Sequence, residues 1–586
     1  MIHSWKTEDA ATKVNCLCLG TGRFLRSVLV PVLNHVGLHP ALIQPRGTTF
    51  MGYMQEQSAT SYEVDTVTYS GEIVTDRVAC YGAFSLGNPE GRAATLDFVK
   101  SLEHEVQIIG VGITEAGLAS ADTQGMKDLM ELLRFLKNQS NTICIIDMDN
   151  VPNNGDLIQS HLVTLADEEM LDFIQNQVVC LNTMVDRITS ARPGSDVPRA
   201  EPLPAKALVV LDENSNLPPS FGIAKGVVVR STAQQLEADI SLKLRVANGT
   251  HTAVAHAMAL QKMLLTDQLG TDENRELWMD SYLESLVHDQ ILAASPYGKE
   301  ESHACWLDWK GRLAHPHFGL SSFFITQNGA AKAGIRWSGT IVNLVSDKKP
   351  ITVAMAFAYA ALIRWLTPQQ KCVKDGIFVG WLDGAAKPST VEEGVVYADG
   401  LRYNLETGWY EFKCACEIRG KSFSEYLMAL SGKQPASYYG IIKEYLLAPA
   451  GGDLGSLTDA MELDILVRAI ATLVARMAAG DSLEGIMKEM LSKQGVYTHG
   501  FSTDCRLLID GTSNTTVRTL HYQTSPVPNE SRLMKTVVDA TTIGSVLFSE
   551  VASAETIDLH THLLPPTHGP LCSWGIDELL TYVSIV

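Results

Sequence analysis

The tightest constraint on the fold lies at the N-terminal end. Val14-Asn-Cys-Leu-Cys-Leu19 is a short apolar run of the kind that forms a buried strand. Gly20-Thr-Gly-Arg-Phe-Leu-Arg26 follows at once, and residues 28–36 continue with an apolar helical pattern. A buried strand that turns through glycines into a helix belongs to a parallel α/β sheet. The turn also suits an anion. Gly20 permits the tight turn, Gly22 lets a pyrophosphate approach the backbone, and the helix N-terminus offers N–H groups. Thr21, Arg23 and Phe24 complete this candidate cofactor loop. Leu25 stands where the general dinucleotide fingerprint has its third glycine.

Three further strands fit the same sheet: Ala41–Ile43, a run from Val106 to Ile113, and Thr142–Asp147. Residues 126–136 between the last two form an amphipathic helical pattern. A dinucleotide site often has an acid at the end of its second strand to hold ribose hydroxyls. This chain has Gln44 and Arg46 there. Arg46 fits beside an adenine or against a 2′-phosphate, so NAD is placed first and NADP second. Sites in parallel sheets sit at the C-terminal strand ends. That draws attention to Thr114-Glu-Ala-Gly117 and to the polar loop Asp147-Met-Asp-Asn-Val-Pro-Asn-Asn-Gly155. Thr114 and Glu115 join the cofactor candidates.

The second constraint is chemical. Lys243-Leu-Arg-Val-Ala-Asn-Gly-Thr-His251 sets polar groups into apolar, helix-forming sequence. On an α-helix Lys243 and His251 lie roughly 80° apart, and Asn248 about 140° from Lys243. One surface then carries a proton-transfer group, an amide donor and a group to orient either, which is what carbonyl/alcohol interconversion needs. A solvated face with one satisfied histidine is the bland alternative. Gly249 inside such a helix needs a reason.

Lys-x4-Asn-x2-His resembles the catalytic helix of the long-chain mannitol dehydrogenase family, which includes the hexuronate reductases. Gly-x-Gly-x-Phe-x-Arg and Asn182-Thr-Met-Val-Asp-Arg-Ile-Thr189 resemble family motifs too, in the family's order. Thr-Glu-Ala-Gly is most similar to tagaturonate reductases. The resemblance covers roughly residues 14–495. It implies an α/β Rossmann-type N-terminal domain (1–235), a mostly α-helical C-terminal domain (236–495), and an NAD(H)-dependent reductase. Lys243 would carry the proton, Asn182 and Asn248 would donate to the carbonyl oxygen, and His251 would orient substrate or lysine. A lysine in this place does the work of a Lewis acid, so no metal is expected for the reductase. Asp186 and Arg187 read as a structural ion pair. Helices are expected at 276–293, 351–365, 423–428, 461–477 and 483–492. Asn328-Gly-Ala-Ala-Lys332 with Arg336 resembles the hexuronate reductases, which implies that Lys332 and Arg336 hold a sugar carboxylate; a solvated basic turn is the alternative. His315-Pro316 departs from the family's Asn-Pro.

Residues 496–586 fall outside that pattern. Glu555-Thr-Ile-Asp-Leu-His-Thr-His562 resembles the start of a uronate isomerase of the amidohydrolase superfamily, where His560 and His562 would share a metal. Such a barrel needs about 250 residues, so a truncated fragment with a vestigial histidine pair is expected. Its company makes a hexuronate the expected substrate: tagaturonate/altronate first, fructuronate/mannonate next, fructose/mannitol third. An inactive scaffold, or part of a metal-dependent isomerase, are the readings from other classes. The net charge of −20 argues against general nucleic-acid affinity. The longest apolar run, near 351–362, is too short to span a bilayer. Eleven scattered cysteines without C-x-x-C read as mostly reduced thiols. A cytoplasmic enzyme of a small sugar acid or polyol is expected, with a monomer compatible.

Overall fold

In the computed structural model the described residues are 4–57, 60–113, 115–261, 263–292, 299–326, 328–367, short stretches between 396 and 430, 433–458, 460–492 and Cys505. They all lie in one compact unit, Met1–Gly511. In chain order the first nine strands are β1 (Ser4–Lys6), β2 (Cys16–Leu19), β3 (Pro40–Gln44), β4 (Ser61–Val67), β5 (Ile73–Ala79), β6 (Gly82–Ser85), β7 (Ile108–Val111), β8 (Ile143–Asp147) and β9 (Val178–Leu181). Seven form one sheet in the order β1-β6-β3-β2-β7-β8-β9. Only the β1–β6 pair is antiparallel. From β2 the chain steps outward to β3 and β6, then returns to β7 on the other side. That reversal between β2 and β7 is the switch point of a Rossmann sheet, where ligands bind outside the carboxyl ends of the strands.

The central strands are apolar because both of their faces are covered. Cys16 and Cys18 point to one core with Ile108, Cys144 and Ile146. Leu17 and Leu19 point to the other with Ile109, Val111, Ile143 and Ile145. This alternation is the period of two expected of a pleated strand. The expected helix at 126–136 is present as Gln124–Leu136. It starts where the Thr123 side chain accepts from Met126 N, and it lays Met126, Leu129, Leu133 and Leu136 on the second core.

Leu25 answers the missing third glycine. It is fully buried and opens a wide, π-type turn, Leu25–Leu29. A Cβ on Gly112 would lie 2.8 Å from Leu25 Cδ1, and one on Gly110 would lie 2.5 Å from Leu29 Cδ2. Close packing of helix on strand is therefore kept, with the small residues moved from the helix to β7 and its end.

The second half is built around helix Val353–Trp365, in which every residue but Arg364 is buried. A helix apolar all round is a core helix. Helices Gly249–Leu260 and Met461–Ala479 pack on it. The expected helices at 351–365, 461–477 and 483–492 appear as Val353–Trp365, Met461–Ala479 and Leu483–Ser492. That at 276–293 appears as a continuous helical segment to Ile291, but its winding is mostly π-type, in Arg275–Leu283 and Val287–Ile291, with α-helical Glu284–Leu286 between them. Short strands between Val396 and Ser422 interrupt the helical half, which the sequence pattern did not foretell. The expected helix at 423–428 lies mostly outside the described residues, as do His560 and His562. The chain thus joins a Rossmann-like α/β part to a helix-rich remainder. No helix among the described residues is long and apolar enough to cross a membrane.

The helix–strand contact predicts a graded result. Gly112→Ala should destabilise by about 1–3 kcal/mol, the usual cost of overpacking. Gly20→Ala should cost more, because its φ is +126° and its Cβ would meet the Gly112 carbonyl oxygen at 2.5 Å. Urea denaturation midpoints check the order; equal midpoints for both variants and wild type would refute the packing argument.

Candidate active site

Gly20 and Gly22 follow β2, Gly112 and Ile113 follow β7, and between them lies a cavity of about 470 Å³. Thr21, Gln44, Arg46, Gln124 and Asp128 also line it. At Gly22 an added Cβ would meet only the Gly112 oxygen, at 3.8 Å, so the glycine keeps a wall of the cavity bare. This fits a dinucleotide: a bare backbone turn, a helix start, and Arg46 in place of the acid. Arg23 is exposed and Phe24 leans on the first core; neither lines the cavity. Thr114 lies outside the described residues. Glu115 opens the short helix Glu115–Leu118.

Three of the four candidate catalytic residues, Lys243, Asn248 and His251, sit on one continuous helical segment with a change of winding. Ala233–Leu242 is α-helical, Lys243–Asn248 is a π-type stretch, and Gly249–Leu260 is α-helical again. The segment starts in the expected first domain, so a boundary at 235/236 would fall within its first helix. The uniform α spacing assumed from sequence is corrected here. Bonding from i to i+5 brings residues five apart onto one face, so Lys243 and Asn248 come together more closely than 100° steps allow. Wide turns of this kind recur at functional sites. Gly249 follows at once. Trp337 Nε1 donates to its carbonyl at 3.0 Å; a Cβ at Gly249 would meet its neighbours only at ordinary contact distances of 3.4 Å and more.

Lys243 reaches from this helix to the carboxyl edge of the sheet. Its Nζ donates to Asn150 Oδ1 at 2.9 Å and to the Val185 carbonyl. Burial holds its ammonium below the usual lysine range; Asp186 opposes this, while Arg312 and Arg336 reinforce it. Asn150 escaped the sequence reading, although its loop was flagged at a strand end. The loop is braced by Asn154, whose Nδ2 donates to Asp147 Oδ2 at 3.0 Å and to Thr183 Oγ1 at 2.8 Å. Burial raises the Asp147 carboxyl to about 7.

Among the described residues no hydrogen bond joins Asn182 to this cluster. Its Nδ2 donates to Asp156 Oδ2 at 3.0 Å and its Oδ1 accepts from Asp156 N at 3.1 Å, fastening the start of helix Asn154–Leu165. Asn248 makes no side-chain hydrogen bond among the described residues. His251 Nε2 lies 3.0 Å from Arg336 Nη1, and its ring is 5.9 Å from Trp309. Burial first, then Arg336, Lys332 and Lys243, keeps it well below the usual histidine range. Lys332 is neither a solvated turn residue nor turned to a ligand alone. It donates to the Ile325 carbonyl at 3.0 Å, closing helix Ser322–Thr326.

Asp186 and Arg187 do not pair with each other. Arg187 donates to the Glu201 and Ser27 carbonyls. Asp186 receives Arg312, which also holds the fully buried Glu201 at 2.7 Å. His315, in place of the family's asparagine, is structural: Nε2 donates to the Val67 carbonyl at 3.2 Å and the ring stacks on Tyr69 at 4.6 Å. Among the described residues no three His, Cys, Asp or Glu side chains are grouped to hold a metal.

Residues 14–209 match the family model of the mannitol dehydrogenase Rossmann domain. Among solved structures, a substrate-free D-sorbitol dehydrogenase aligns at TM-score 0.58 and 16% identity over 81% of this chain and 95% of its own. The Pseudomonas fluorescens mannitol 2-dehydrogenase, in a ternary complex with NAD and D-mannitol, aligns at 0.55 and 15% over 83% and 96%. At such identities the likeness establishes the fold. No curated protein matches the chain.

The charge cluster yields a stability prediction. Arg312→Met would strand Glu201 and Asp186 and should cost about 3–5 kcal/mol, as breaking a buried ion pair does. Chemical denaturation measures it; a loss under about 1 kcal/mol, the range of exposed pairs, would mean the cluster is solvated.

Proposed function

We propose that this chain is a reductase of keto-hexuronates: an NAD-dependent oxidoreductase of CH–OH groups whose substrate carries a carboxylate. The observation that carries the reading is the position of Lys243. It is a desolvated lysine at the same carboxyl edge of the sheet as the Gly20–Gly22 turn. The dinucleotide, when bound, supplies hydride to a ketone carbon or takes it from an alcohol. Lys243 then gives a proton to the oxygen, or removes it in the reverse direction. Asn248 donates to that oxygen as negative charge grows on it. Asn150 and the Val185 carbonyl keep the lysine head in place.

The carboxylate end of the substrate falls to Arg336. One guanidinium nitrogen serves His251 and Thr252, while Nε and Nη2 make no hydrogen bond among the described residues. Arginine presents a fork suited to carboxylates. Tagaturonate/altronate is the first choice, fructuronate/mannonate the second. Arg46 suits NAD beside its adenine, with NADP as the alternative.

The test follows NADH absorbance with tagaturonate, fructuronate and fructose in parallel. Turnover of a uronate is expected; turnover of fructose alone would move the chain to the polyol dehydrogenases. Lys243→Ala should lower kcat by at least about a hundredfold, the scale of general acid–base catalysis, while NADH affinity stays within about twofold. Undiminished kcat would remove the lysine from the mechanism. The depressed lysine also fixes a pH dependence. Alcohol oxidation needs the neutral amine and should rise with pH, with a midpoint below the ordinary lysine value of about 10.4; ketone reduction needs the ammonium and should fall across the same range. Rate profiles in both directions check the signs.

A further inference from the structure

The Arg336–His251 contact has a chemical asymmetry. A guanidinium only donates, and it stays protonated at any pH a protein survives. At 3.0 Å from Arg336 Nη1, His251 Nε2 must therefore be the acceptor. A histidine whose Nε2 accepts is neutral and carries its proton on Nδ1. His251 Nδ1 is buried and has no hydrogen-bond partner among the described residues. Arg336 is itself anchored, since Nη1 also donates to Thr252 Oγ1, one residue along the same helix.

We propose that Arg336 is a positioning residue that locks His251 as the neutral Nδ1–H tautomer, so that Lys243 is the site's sole proton carrier and the histidine serves only as a fixed donor to a substrate oxygen. This rests on the reductase reading, and it assigns Arg336 a task separate from any hold on the substrate carboxylate. The surroundings agree. His251 faces Arg336 and Lys332 from helix Gly329–Ser346, Lys243 from its own segment and the Trp309 ring from helix Lys299–Leu313; the charged groups that act on it among the described residues are all cationic. Lys243 faces Asp186, Asp149, Arg312 and Arg336. Asp186 and Asp149 thus act on the lysine, Asp186 foremost. A protonated His251 would put a second positive charge against Arg336 and forfeit its hydrogen bond. Burial is the largest effect that holds the histidine neutral and Arg336 the next; without the lock the histidine moves up toward its ordinary value of about 6.5 and becomes a competitor of Lys243 as an acid.

The experiment records ring ¹⁵N spectra of ¹⁵N-histidine-labelled full-length protein, with His251 assigned by its loss in His251→Asn. The wild-type signal should report the Nδ1–H tautomer and stay constant between about pH 9 and pH 5.5, a range that spans the ordinary histidine value. In Arg336→Met it should begin to titrate, moving up by about one pH unit or more; Arg336→Lys should restore most of the wild-type behaviour. An Nε2–H tautomer or a titrating His251 in the wild type overturns the proposal, and that measurement stands even if Arg336→Met does not fold. A kinetic arm separates the lock from substrate binding. The kcat/KM profile of Arg336→Met should gain an ionisation that the double variant with His251→Asn lacks; a raised KM with an unchanged profile would mean Arg336 acts on substrate alone. If the wild type turns over none of the three sugars, the reductase reading fails while the spectra still decide the tautomer.

Discussion

Much of this structure depends on one buried cation. Arg312, on a helix of the second half, holds the buried Glu201 and the partly buried Asp186 from the first half. Asp186 follows Val185, and the Val185 carbonyl receives the Lys243 ammonium. The chain of contacts runs from Arg312 to Asp186, and through the neighbouring Val185 carbonyl to Lys243. Taking these charges out of water is costly, and the geometry has to be good to offset it. Carboxylates gathered on one guanidinium leave little freedom in how the two halves meet. The His315–Val67 bond adds a second tie between them, at the tip of β4.

The fold was largely legible because its strands are short apolar runs ended by glycine or by polar loops. Val14–Leu19 and Thr142–Asp147 needed only trimming to become β2 and β8. The cofactor turn was legible for the same reason, and Gly20, Thr21, Gly22 and Arg46 do line one cavity. Arg23 and Phe24 came along with the motif and stand outside it. A motif marks a stretch of chain, whereas a cavity selects side chains by direction.

The site was less legible wherever a contact joins distant parts of the chain. Asn150 lies 93 residues before Lys243, and no local pattern announces the pair. Asn182 stands in a motif that resembles the mannitol dehydrogenase family's, and its amide meets Asp156 at the start of a helix. Lys332 was read as a carboxylate ligand from the resemblance of Asn-Gly-x-x-Lys to hexuronate reductases; its bond to the Ile325 carbonyl, at the end of a neighbouring helix that attracts cations, was invisible in sequence. Asp186 and Arg187 looked paired because they are adjacent, but each found a partner of its own across the fold.

The wide turn at Lys243–Asn248 has a consequence for how such a site can change. A π-type turn is a helix holding one residue more than its α-helical path requires. The extra residue is absorbed locally, so the segment before it stays seated on the sheet side and the segment after it stays seated on the helical core. The two flanks are therefore keyed to one another by a count of residues, much as a gear is keyed to its shaft. Substitutions can tune the chemistry around Lys243 freely, but a change of length there would rotate Asn248 and His251 by about 100° per residue relative to the lysine. Helical phase thus makes the face shared by Lys243, Asn248 and His251 intolerant of insertions and deletions.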